Sequence, residues 1–403
     1  MILIGTTVGA GMLQLQTVSA SAGFTLASIL MLVMWLLSII TGLMIIEVNL
    51  ALPSHACSFS SMAERTLGVF WKTITWISYL FLLYSITWAY ISGGTSLITS
   101  TIEYVFHIKT PSWISAVSFT AILGSSVFLG TKIVDYFNRS LISIKGFLLL
   151  ATLVLILPHI DLNKLIAIQN IEQAKYLWIA APIFMLSFFY HSVIPSLRIY
   201  IGDKPQDLKR IVIYGTTVSV TIYLLWLAAT LGTVPLVGDN SFTSLAQSKG
   251  SVGELFVQTM AAIINNKWIT SSISCFSSIA MTTSFLGVTL GLFDFLADGF
   301  RVPNTKSGRL KTAALTFLPP LAFAIFYPKG FALALYCAAT FVAIIMFILP
   351  PLMIYRLRKN PNLKSPYRMF GGNTLFALVL IIGIILLVLP IMSNLHLLPD
   401  IKT

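Results

Sequence analysis

Charge is what this sequence has least of. Only 9% of its 403 residues are Asp, Glu, Lys or Arg, where a soluble domain carries about a quarter. No charge precedes Glu47, and the first basic residue is Arg65. So little charge excludes a water-soluble globule. The uncharged start also argues against a cleaved secretory signal, whose first region is basic, although "SASA" (19–22) resembles a cleavage site. Cysteine is scarce too. Cys57, Cys275 and Cys337 are odd in number, far apart and form no C-x-x-C pair, so they are expected to be packed thiols rather than a disulfide or metal framework. H-E-x-x-H, G-x-S-x-G and a Walker-type phosphate loop are all missing. No nucleophile is paired with a base, so neither an enzyme nor a metal or cofactor site is expected. Basic tracts with interleaved aromatics are missing as well. The formal charge of +12 therefore reads as basic loops facing an anionic leaflet, not as a nucleic-acid surface.

What is present is apolar length. Hydrophobic types make up 57% of the chain, and runs such as "LASILMLVMWLLSIITGLMII" (26–46) match the roughly 20 apolar residues that a membrane span needs. The apolar runs predict an all-α polytopic protein of eleven segments, at 1–20, 24–51, 73–102, 112–134, 140–158, 177–200, 210–236, 268–298, 312–327, 330–355 and 374–394. With the N-terminus cytoplasmic, eighteen lysines and arginines fall in inside loops and seven outside, which is a positive-inside bias. Eleven segments then put the C-terminus outside. The connection 237–267 contains "VGELFVQTMAAIIN", a short helix expected over the outer mouth.

Two segments carry interruptions. "IGTTVGAGML" (4–13) places Gly5, Gly9 and Gly11 in the first segment. In the sixth, "APIFMLSFFYHSVIPSLRIY" (181–200), Pro182 and Pro195 bracket a polar His191 and Ser192. Each has a plain alternative: Gly5-x-x-x-Gly9 is also a helix-packing motif, and a single proline also kinks a membrane helix. Together they occupy corresponding positions, the first members of two five-segment sets, 1–158 and 177–355, with 374–394 left over. That is the layout of an inverted-repeat transporter. Its broken helices offer free N–H groups to an anion and free carbonyls to a cation. Broken backbone is tolerated in a bilayer only where it lines a protein cavity.

"GTTVGAGM" (5–12), "AYISGG" (89–94), "VDYFNR" (134–139), "FYHSVIPS" (189–196), "TSFLGVTLGLFDFLAD" (283–298) and "GRLKTAALTFLPPLAFAIFYPKGF" (308–331) closely resemble the bacterial aromatic amino acid permeases along nearly the whole chain. The resemblance implies a leucine-transporter-like fold of two inverted five-helix repeats plus one helix, with helices one and six discontinuous. It also implies proton-driven uptake of an aromatic amino acid, L-tyrosine favoured, across the bacterial inner membrane. Tryptophan, a broad aromatic range or sodium coupling on the same fold are the alternatives. Two departures stand out. Relatives carry further basic residues before the glycine–threonine run, so here the first half-helix is expected to be short or to start upstream. Gln14 and Gln16 also replace apolar residues.

On that resemblance, Gly9, Ala10 and Gly11 are expected to offer N–H groups to a substrate carboxylate. Thr6 and Thr7, with the backbone around Phe188 and Phe189, are expected to offer carbonyls to its ammonium. Tyr84, Trp88, Phe188, Tyr190 and Phe285 are candidates for the aromatic slot. His191, Ser192 or Gln16 is a partner for a phenol, which would select against phenylalanine. The proton-coupling candidates are Lys145, His191 and Glu47. An imidazole titrates near pH 6.5. A charged lysine at span-centre depth costs about 2.5–3.5 kcal/mol unless it snorkels to the surface. Lys145 is expected where sodium-coupled relatives hold their ion, between segments one, five and eight, with Thr283 and Ser284 supporting either cation. An inner-gate ion pair is the alternative for Glu47. Asp294 and Asp298 are expected to pair with Arg301 or Arg309.

Overall fold

A backbone inside lipid must satisfy its own hydrogen bonds, and this chain does so with helices. A computed structural model describes residues 2–398 apart from 54–57, 109, 167–170, 248–251, 265, 304, 329 and 396. Cys57 and the loop lysines 109, 249, 329 and 402 lie outside the described residues. Among those described there is no strand, and ten stretches are long and apolar enough to cross a membrane.

The first segment is two short helices, α1 (Ile2–Thr7) and α2 (Met12–Ser19), each too short to span alone. After it come α3 (Phe24–Leu50), α4 (Phe59–Leu67), α5 (Val69–Phe106), α6 (Ser112–Leu129) and α7 (Thr131–Ile156). The expected end of 112–134 is corrected here to Leu129, whereas the apolar span inside α7, Ser140–His159, agrees with the expected 140–158. Gly130, at φ +128, turns the chain at once, a conformation that only glycine adopts readily. α7 therefore starts at Thr131, ahead of that span, and Lys145 sits near the middle of the helix.

The second half begins with α8 (Leu162–Ile166), then the broken pair α9 (Leu177–Ser187) and α10 (Ile194–Ile201). α11 (Pro205–Thr233) leads to α12 (Phe242–Gln247) and to α13 (Val252–Ile264), the short helix expected in the long connection. The chain closes with α14 (Lys267–Gly299), α15 (Lys306–Phe326), α16 (Phe331–Ala343), α17 (Leu349–Lys359) and α18 (Asn373–Asn394). A π-turn at residues 344–348 joins α16 to α17, just ahead of Pro350 and Pro351. Gly383 of α18 lies against the Phe347 backbone there, with no room for a Cβ.

α7 packs on α14, α14 on α5, and α11 on α3, while α11 also borders α1 and α2. Buried apolar side chains fill these contacts, and Leu36, Phe81, Phe147, Leu150, Leu318 and Ile381 project outward. The packed-thiol expectation holds only in part: Cys337 is half-buried, and Cys275 is exposed on α14.

Candidate functional site

Both interruptions are broken backbone in the structure. α1 stops at Thr7 and α2 starts at Met12. Between them Gly9 N–H turns back to Thr7 O at 2.9 Å, and Ala10 N–H donates to Ser284 Oγ of α14 at 3.1 Å. The Gly11 N–H has no acceptor among the described residues. Gly11 is half-buried, and a Cβ built on it would meet nothing within 4 Å. Of the three donors expected for a carboxylate, the one at Gly11 is thus without an acceptor among the described residues. A Cβ on Gly9, by contrast, would press on Ser284 Oγ at 2.8 Å. Thr6 ends its helix beside Thr7, and its side chain lies outside the described residues.

The second break runs from Phe188 to a short 3-10 turn at His191–Val193. Pro195 lies within the first two positions of α10, where its missing N–H costs nothing. Phe188 is fully buried, edge-on to the ring of Tyr223 at 5.4 Å. Phe189 is half-buried. His191 is fully buried and stacks on Tyr190 at 4.6 Å, while Ser192 is half-buried. The Tyr190 hydroxyl donates to Ser38 O of α3 at 2.8 Å and lies where a Cβ on Gly42 would be. Thr41 Oγ1 donates to Leu37 O at 3.0 Å and stands 2.8 Å from His191 Nε2. Which of the two atoms donates depends on the imidazole tautomer. His191 Nδ1 is buried with no partner among the described residues.

Lys145 is buried near the middle of α7, and its Nζ donates to Val8 O, inside the first break, at 2.9 Å. Segments one, five and eight meet here, as expected, but the supporting roles differ. Ser284 caps the Ala10 N–H, and Thr283 Oγ1 donates to Ala280 O of its own helix at 3.1 Å.

Other expected residues are placed elsewhere. The Tyr84 hydroxyl donates to Leu315 O of α15 at 2.8 Å. Trp88 packs on Phe323, Tyr327 and Gly330. Phe285 is buried between Phe119 of α6 at 5.0 Å and Phe317 of α15 at 6.2 Å. Gln16 Oε1 accepts from Trp226 Nε1 at 2.9 Å, and its amide donates to Leu13 O at 2.6 Å, so both ends are engaged within the protein. Glu47 takes two hydrogen bonds from Arg358 at 2.8 Å and one from Met369 N–H at 2.7 Å, which is the ion pair named as its alternative. Arg309 lies over Phe293 and donates to Phe128 O at the end of α6.

α11, expected only as the segment 210–236, also lies along the first break. Gly215, Ser219 and Tyr223 recur every four residues on one helix face. Gly215 abuts Leu3, Ser219 Oγ lies 2.6 Å from Thr7 Oγ1, and the Tyr223 hydroxyl donates to Thr7 O at 2.5 Å and Ser187 O at 2.9 Å. Further along, Trp226 holds Gln16. α11 is therefore a splint along both halves of the broken first segment. The signal was a small and polar stripe inside an apolar span. Tyr90 of α5, beside Ser284, was also missed.

The tryptophan/tyrosine permease family matches residues 1–390 of this chain. The tryptophan-specific transport protein of Shigella flexneri is 33% identical over 401 residues, covering 99% of this chain and 95% of that one. The tyrosine-specific transport system 2 of Haemophilus influenzae is 35% identical over 401 residues, covering 99% and 97%. Among solved structures, a mutant of the Eremococcus coleocola manganese transporter superposes with a TM-score of 0.63 at 13% identity, covering 97% of this chain and 84% of that one. At that identity the likeness concerns the fold alone. With the family match and these full-length relatives, this chain belongs to the tryptophan/tyrosine permease family.

Proposed function

We propose that this protein imports an aromatic amino acid, L-tyrosine first, across the bacterial inner membrane by alternating access, in symport with protons. The observation that carries this reading is the hydrogen bond from Lys145 to Val8 O at 2.9 Å. A lysine ammonium there supplies, between segments one, five and eight, the positive charge that a sodium ion would bring. A proton that comes and goes on Lys145 then makes and breaks a bond to the substrate-binding break. His191 at the second break is the other proton candidate, and Glu47, engaged by Arg358, is the third.

The paired breaks support counting α1 and α2 as one span with the ten long ones. The eleven then form two inverted repeats, 1–158 and 177–355, with 374–394 as the last helix, the N-terminus cytoplasmic and the C-terminus periplasmic. Gly11 N–H and the N-terminal start of α2 suit the carboxylate. The buried Nδ1 of His191 suits a ring donor, whether a phenol O–H or an indole N–H.

Tryptophan is the second reading, because relatives named for either amino acid are equally similar. The test is uptake of labelled tyrosine, tryptophan and phenylalanine into proteoliposomes under separate proton and sodium gradients. The expected result is proton-driven uptake with tyrosine preferred. Uptake driven by sodium alone would overturn the coupling assignment, and tryptophan outcompeting tyrosine would select the second reading.

A further inference from the structure

Between Asp298 and Asp400 the sequence holds no acidic residue, yet Arg356, Arg358, Lys359, Lys364 and Arg368 crowd into the stretch 356–368. They lie at the end of α17 and on the strap 360–372 that leads to α18. Both helices belong to apolar spans, so the strap between them lies at the bilayer surface. It is fastened to the protein there. Glu47 accepts from Met369 N–H at 2.7 Å, and Arg358 donates to Met369 O and Gly371 O at 2.9 Å. Exposure alternates along 363–370, as on a strand. Leu363, Tyr367 and Met369 turn inward onto the core, while Lys364, Arg368 and Phe370 turn outward, the last 63% exposed. Arg356 and Lys359 are exposed beside them on the last turn of α17. Of these five cations only Arg358 pairs with a carboxylate among the described residues.

Four cations without a counter-charge, held on a fixed frame at the bilayer surface, match a layer of phosphate groups. An exposed aromatic ring next to them suits the boundary between headgroups and acyl chains. We propose that the strap is a binding surface for anionic phospholipid, with Arg356, Lys359, Lys364 and Arg368 taking the phosphates and Phe370 entering the acyl boundary. On the orientation proposed above, that surface is cytoplasmic, where the leaflet is anionic. Because Glu47 and Arg358 tie the strap to α3 and α17, lipid bound there stabilises the packing of those two helices.

The test is the melting temperature of the whole chain in neutral detergent, titrated with phosphatidylglycerol or with phosphatidylcholine. Phosphatidylglycerol should raise it by about 3 °C or more beyond an equal amount of phosphatidylcholine, and the difference should shrink in high salt. Lys364→Gln with Arg368→Gln removes two of the four cations and should lose about half of that difference or more. Lys204→Gln with Lys209→Gln removes as much charge from a connection that also holds Asp203 and Asp207, and should keep it. Equal responses to the two lipids, an unchanged response in the strap variant, or equal losses in the two double variants would overturn the proposal. Inorganic phosphate or polyglutamate that stabilises as well as phosphatidylglycerol would overturn it too, assigning the patch to a free anion or to an acidic peptide.

Discussion

Lys145 reaches from the middle of α7 to the carbonyl of Val8, 2.9 Å away, and so ties an intact scaffold helix to a broken one. Held charged at that depth, the ammonium costs the fold about 2.5–3.5 kcal/mol before its hydrogen bond is counted. Stability and transport should therefore respond in opposite senses to its removal. Lys145→Met is expected to leave the melting temperature in detergent unchanged or higher, and to abolish uptake driven by a proton gradient. A variant that keeps proton-driven accumulation would remove Lys145 from the coupling role.

Glu47 and Arg358 form the second long-range tie, joining the C-terminal part of α3 to the end of α17. Both carboxylate oxygens are engaged, and the side chains are only 3% and 15% exposed. Breaking such a buried pair from one side costs about 3–5 kcal/mol, because the surviving charge is left unpaired. Glu47→Gln and Arg358→Gln should each lower the melting temperature clearly, and the double variant should lose less than the two losses added. Full additivity in a double-mutant cycle would show that the pair does not act as a unit.

A weaker tie carries the pH signature. Arg198, buried in α10, donates to Asn49 O and to Leu52 O at the end of α3, and also to Asp203 at 2.6 Å. The hydrogen bond from Arg198 holds the Asp203 carboxyl below the usual carboxylate range. With the folded value depressed, the stabilisation is present above about pH 4, where an unfolded Asp is ionised, and is lost as pH falls through the folded value. The Asp203 side chain is 61% exposed, so solvent screening keeps the effect small. Asp203→Asn should melt slightly below wild type at pH 7, and the gap should close in acid. A gap that widens in acid would contradict this linkage.

The helices were legible because lipid permits little else: apolar length marked the long segments, and Gly9, Gly11 and Pro195 marked both breaks. Boundaries were less legible. Gly130 turns the chain within one residue, which left no polar loop to read between α6 and α7. The breaks themselves were legible because unpaired backbone has a sequence signature in glycine and proline. Tyr84 and Trp88 were misleading, because an aromatic in an apolar span carries no sign of which neighbour it faces. Tyr223 was hidden for the same reason. Only the fold brings its hydroxyl to Thr7 and Ser187, which are 216 and 36 residues away in sequence.

Gly11 offers the sharpest test of where substrate sits. Its backbone is right-handed helical, at φ −59 and ψ −29, so a side chain adds no strain there. A Cβ would meet nothing within 4 Å, so a side chain can start there without a backbone clash. Gly11→Leu should therefore keep the wild-type melting temperature and fill the space beside the open N–H. Binding of labelled tyrosine should then be lost in the folded variant. At Gly9 the outcome differs: a Cβ presses on Ser284 Oγ, which holds Ala10 N–H, so Gly9→Ala should lower stability and binding together. If Gly11→Leu binds tyrosine as wild type does, the carboxylate does not lie at the first break and the placement of the site is wrong.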